Sequence, residues 1–152
     1  MRTARIGALA LAGAAAATMA FAQDADRAIA ARQAHMTLFS HNFGPIFMMA
    51  RERMDYDPEV AQTAADNLAA LAAVDQWGYW PEGSDAESVD GTKALPAIWE
   101  NMDDFWAHRD ALIEATATLA EGAGTDLATL QAGFGQVGAA CNDCHEDYRE
   151  SD

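Results

Sequence analysis

The chain has 152 residues, 51% of them hydrophobic, and its 24 acidic side chains against 9 basic ones give a net charge of −15. That length suits one domain with a real core and leaves little room for a second. The excess of acid excludes nucleic acid, whose phosphates need a basic face, and docking on an anionic membrane.

Residues 1–22 read as a leader peptide. Arg2 and Arg5 make a basic start, Ile6 to Phe21 is apolar and uncharged, and Ala20-Phe21-Ala22 offers a small-x-small cleavage pattern. The apolar run is too short to favour a transmembrane anchor. Cleavage after Ala22 removes two arginines and no acid, taking the net charge from −15 to −17 and leaving residues 23–152 as the mature domain. An exported bacterial chain without a membrane span belongs in the periplasm.

The mature chain shows no sustained alternation of β-branched residues, and instead carries four alanine-rich stretches with helical spacing. The first runs from about Asp24 to Glu52, with Ile29, Met36, Phe39, Phe43, Ile46 and Ala50 on one seam, Arg32 at another seam position, and Pro45 expected to kink it. The second opens at Asp57-Pro58 and carries Val60, Ala64, Leu68, Leu71 and Val74 to about Gly78. The third follows Pro96 and stops at Gly122. The fourth is capped by Thr125 or Asp126 and reads Leu127, Leu130, Phe134, Val137, Cys141, Cys144, Tyr148, an unbroken 3-4 rhythm. A long segment from Trp80 to Pro96 separates the second and third, while the other connections are short. The expected fold is all-α, an antiparallel up-down-up-down four-helix bundle.

The chemistry lies at Cys141-Asn-Asp-Cys144-His145. On a helix these three side chains share one face. That arrangement suits haem c, with two thiols adding to the vinyl groups and the neighbouring imidazole taking the iron. Because both cysteines lie on the apolar seam, the haem is expected in the bundle interior. Three other readings compete. A zinc site needs more ligands, a thioredoxin-like pair needs an α/β unit, and a disulfide this short on one helix strains the backbone.

At these residues the chain resembles the cytochrome c′ family. The similarity extends through Ala31-Arg32-Gln33, Asp55-Tyr56-Asp57, Trp77 to Pro81 and Ala97-Ile98-Trp99, and the haem motif is followed by Tyr148-Arg149. The resemblance implies a periplasmic haem protein and a homodimer through its first two helices. It further implies high-spin, five-coordinate iron that binds nitric oxide and carbon monoxide. No nucleophile–base pair or carboxylate dyad stands out, so an enzyme is not expected.

Individual residues then take expected roles. Arg32 on an apolar seam needs a partner, and a haem propionate would supply one, with Gln33 helping; the plain alternative is an outward turn to a surface acid. Arg149 should lie over the His145 imidazole and weaken it as a donor, or merely complement the helix end. Trp77, Trp80 and Phe105 are candidates for the haem wall or for ordinary core. Met36, one turn beyond Arg32, falls at the distal face if Arg32 holds a propionate. There it either gates five-coordinate iron or ligates it, the second case giving a low-spin electron carrier. His35 beside the seam is expected to be partly exposed, His41 to face outward, and His108 has no evident partner. The acidic surface either steers a basic redox partner or keeps the protein soluble.

Overall fold

The computed structural model describes residues 6–151, with side chains described from Asp24 onward. The expected leader therefore lies outside the residues whose side chains are described. Alanine-rich sequence with few β-branched residues favours helix. Five helices form among the described residues: α1 (Ile6–Ala50), α2 (Pro58–Ala72), the single-turn α3 (Ala97–Glu100), α4 (Met102–Gly122) and α5 (Leu127–Tyr148). The four long ones make the up-down-up-down bundle, with α4 packed on α2 and α5, and α1 on α2 and α5.

Several boundaries differ from expectation. Pro45 lies inside α1, which does not end there but runs on to Ala50, two residues short of the expected Glu52. It stops there because Glu52 adopts a left-handed φ of 54°. The Glu52 N–H then donates to Met49 O at 2.9 Å and the Arg53 N–H to Met48 O at 2.8 Å, which satisfies two orphan carbonyls. Asp57 caps α2 as its sequence suggests, Oδ1 accepting from the N–H groups of Glu59 (2.9 Å) and Val60 (3.1 Å). α2 ends at Ala72, short of Gly78, so Val74 lies beyond it. Its buried stripe is Ala61, Ala64, Ala65, Leu68 and Ala72; Val60, one position off that stripe, is 41% exposed. The third expected helix is split at Asn101, whose backbone leaves the helical region (φ −133°, ψ 47°).

The main core holds Ile46 and Met49 from α1, Leu68 from α2, Leu119 from α4, and Leu130 and Val137 from α5, all fully buried. α4 and α5 approach closely at Gly133, where an added Cβ would sit 3.1 Å from Leu119 Cα and 3.2 Å from its Cβ. Backbone cannot swing aside as a side-chain tip can. Gly133→Ala is expected to destabilise the fold by about 1–3 kcal/mol through overpacking, read as a lower urea midpoint; an unchanged or raised midpoint would contradict this.

α1 and α5 run antiparallel, and their register is fixed at one end. Gln131 Nε2 donates to Ala50 O at 3.0 Å. Phe134 stacks on Phe43 with centroids 5.5 Å apart and meets Phe47 edge-on at 6.0 Å. Since both helices rise about 1.5 Å per residue, the same register carries Phe39 level with Cys141, and Met36 level with Cys144 and His145.

Candidate functional site

α5 positions the two thiols and the imidazole on one face because its seam is continuous from Leu130 to Tyr148. Asp126 starts the helix, its Oδ1 accepting the Thr129 N–H at 2.8 Å. Cys141 and Cys144 are both free thiols, half-buried. They look into different surroundings. Cys141 packs against the main core, whereas Cys144 packs against a second cluster of Ile98, Phe105 and Tyr148 bordered by Trp80 and Trp99. Burial pushes the Cys141 thiol up. Burial, then the charges of Cys141, Asp147 and Asp104, pushes Cys144 up to about 11. Both sulfurs are thus held as neutral thiols. Burial also lowers the pKa of His145, and the Arg149 charge adds to it, keeping the imidazole neutral and able to ligate.

Arg32 is buried, as its seam position demands, but its partners come from the long loop. Nη1 donates to Ser84 Oγ (2.9 Å) and Tyr79 O (3.2 Å), and Nη2 to Thr92 Oγ1 (2.7 Å) and to Ser84 O. The guanidinium also lies 4.8 Å over the Trp80 ring. Burial pulls the Arg32 pKa down, and Asp85 opposes that. Burial works to raise the Asp85 carboxyl in turn, yet hydrogen bonds from Ser88 and the backbone outweigh it and hold Asp85 below the usual carboxylate range. The loop therefore answers the need that a propionate was expected to meet, and the outward turn to a surface acid does not occur. Gln33 is exposed and also reaches the loop, donating Nε2 to Gly91 O at 2.7 Å.

The loop is fastened at its far end as well. Leu95 N–H donates to Tyr148 O at 3.0 Å and Glu150 N–H to Lys93 O at 2.8 Å, around an isolated β-bridge between Ala94 and Arg149. A segment with no regular structure thus straps α1 to the end of α5. It brings Trp80 between Arg32 and Phe105, whose ring meets Trp80 edge-on at 4.7 Å. Arg32, Trp80, Phe105, Tyr148 and Cys144 accordingly form one contiguous wall. Trp77 stands apart from it, 89% exposed. With Trp80, Met102, Trp106 and Arg109 it lines an open pocket of ≈ 570 Å³. Met36 is 44% exposed on α1.

Two histidines behave differently from their sequence reading. His35 is buried, not partly exposed, and packs edge-on against Tyr79 at 6.1 Å. His108 does have partners: its Nε2 lies 3.5 Å from Asp104 Oδ2 and 3.6 Å from Asp147 Oδ2. Asp104 lies four residues before His108, a spacing that could have been noticed; Asp147 comes from another helix and left no local signal.

The donor set fits a tethered haem. Two unpaired thiols one turn apart, flanked by aromatic rings on one side and aliphatic core on the other, can each bond to one edge of a flat macrocycle. The adjacent imidazole would supply a nitrogen donor to the iron of such a group. A closed structural zinc site needs four protein ligands, and these three donors fall one short of it.

Comparison with known proteins agrees. The family model described as Cytochrome C' matches residues 27–149. Cytochrome c-554 of Cereibacter sphaeroides is 46% identical over 150 residues, covering 97% of this chain and 98% of that one. Among solved structures, a cytochrome c′ from Rhodobacter spheriodes superposes with a TM-score of 0.82 at 36% identity, covering 84% of this chain and 98% of that one. A nitric oxide complex of a variant cytochrome c prime from Alcaligenes xylosoxidans matches with a TM-score of 0.72 at 29% identity, over 84% of this chain and 97% of that one.

Proposed function

The chain belongs to the cytochrome c′ family, and we propose that it is a periplasmic, high-spin haem protein that binds nitric oxide and carbon monoxide. Its cofactor is haem c, for which Cys141 and Cys144 are the attachment points. When bound, the haem supplies an iron centre that takes one diatomic ligand or one electron.

The chain's own residues set which of these it does. His145 would hold the iron from the α5 side. Arg149, by opposing positive charge on that ring, makes it a weaker donor. Met36 stands across from it on α1, an unbranched apolar side chain that admits a diatomic molecule and excludes larger ones. Trp80 and Phe105 wall the cofactor, and Trp77 flanks its entrance. Arg32 and Gln33 serve the propionate side by holding the loop there. The nitric oxide complex of a related protein supports the gas-binding reading. Residues 1–22 act as the leader that sends the chain to the periplasm. Among the described residues no helix is long and apolar enough to cross a membrane. Exposed Leu38 and Met48 on α1 and Val60 on α2 support a homodimer through these two helices.

The register that puts Met36 level with His145 carries the reading. It also favours a second one, in which the Met36 thioether is the sixth ligand and the protein a low-spin electron carrier. The chain shares more residues with cytochrome c-554 (46%) than with the cytochrome c′ of the solved structure (36%). The two readings part in the absorption spectrum. We expect a high-spin ferric spectrum, and carbon monoxide uptake by the ferrous form that quickens about tenfold in Met36→Ala, a barrier change of about 1.4 kcal/mol. A methionine–iron charge-transfer band in the native protein, abolished by Met36→Ala, would establish the carrier instead.

A further inference from the structure

We propose that Asp104, His108 and Asp147 form a second metal site, outside the haem pocket, for a divalent transition ion of the zinc type. Asp104 and His108 stand one turn apart on α4, and Asp147 reaches them from α5. One ligand atom from each lies within 4.8 Å of the other two. The spacing itself argues for an ion. His108 Nε2 is 3.5 Å from one carboxylate oxygen and 3.6 Å from the other. A charge-assisted hydrogen bond would close to about 2.7–2.9 Å, so neither contact is a good one. Ligands bound to a tetrahedral ion at about 2.0–2.1 Å lie roughly 3.3–3.4 Å from each other, close to the two separations from His108 Nε2.

The outer contacts support the same conclusion. Tyr148, itself buried, donates its hydroxyl to Asp104 Oδ2 at 2.6 Å, fixing that carboxylate as supporting residues do around metal ligands. The Tyr148 ring also meets the His108 ring edge-on at 5.7 Å, restraining the imidazole. The His108 side chain is 21% exposed and the carboxylates 64% and 60%, so the nitrogen is sheltered while a hydrated ion can enter from the acidic side. Two carboxylates balance a double positive charge, and one imidazole selects a transition ion over calcium or magnesium. Water completes the coordination.

The test is calorimetric titration of the haem-loaded protein with Zn²⁺. Native protein should take up one ion, and His108→Ala should lose that binding while keeping its haem spectrum and helical circular dichroism. Tyr148→Phe should bind about 10-fold more weakly, the usual cost of losing an outer-shell partner. His41→Ala, which changes an exposed histidine elsewhere on α1, should bind as the native protein does. Asp147→Asn gives a second reading should His108→Ala lose its fold. No uptake by the native protein, unchanged uptake in both His108→Ala and Asp147→Asn, or Ca²⁺ binding as tight as Zn²⁺ would each overturn the site.

Discussion

Arg32→Ala is expected to lower the stability of the protein by about 2–4 kcal/mol, since hydrogen bonds from a charged donor contribute about 1.5–3 kcal/mol each and several are lost together. The loss is not confined to α1. Ser84 and Thr92 are both buried, and without the guanidinium the Ser84 carbonyl has no charged donor facing it. Asp85 also keeps its buried carboxylate while losing the nearby positive charge. Arg32→Lys should recover only a small part, because an ammonium cannot span Ser84, Thr92 and the Tyr79 carbonyl with a planar fork. Urea unfolding followed by far-ultraviolet circular dichroism measures this. A drop below about 0.5 kcal/mol for Arg32→Ala, the size of an ordinary surface change, would mean that the loop does not depend on the arginine.

Replacing both cysteines, Cys141→Ala with Cys144→Ala, should turn a permanently coloured chain into one that releases its pigment on denaturation. The native protein should retain haem colour on a denaturing gel, because thioether bonds survive unfolding while axial ligation does not. Each single variant should keep one tether and stay coloured. If the double variant remained stained, the haem would be attached elsewhere; if the native chain lost its colour, covalent attachment itself would be wrong.

What could be read before the structure divides along the range of the interactions. The thiol pair Cys141 and Cys144 was legible as a haem attachment motif because it depends on spacing of about one turn. The α5 seam was legible because a helix packed on one side repeats its apolar residues every three or four positions. Asp57 announced the start of α2 by the same short-range logic. The partners of Arg32 were not legible. They sit in a loop without periodicity, more than forty residues away, and are hydroxyls and carbonyls that look like ordinary turn residues. His35 was misjudged for the same reason, since its cover is Tyr79 from that loop. Val60 and Val74 misled in another way. Hydrophobicity placed them on the core face, but small alanines at 61, 64, 65 and 72 set the actual contact and left both valines outside it.

The strap from α1 to the chain's end has a consequence for the last turn of α5. Helix ends normally fray, and a side chain there wanders with the backbone that carries it. Here the residues just past α5 are pinned at Leu95 and Lys93 to a segment that Arg32 anchors in turn. The conformational entropy of that final turn is therefore surrendered when the polypeptide folds rather than when iron is ligated. Under the proposed ligation, His145 would meet an iron from a last turn already held in a closed frame.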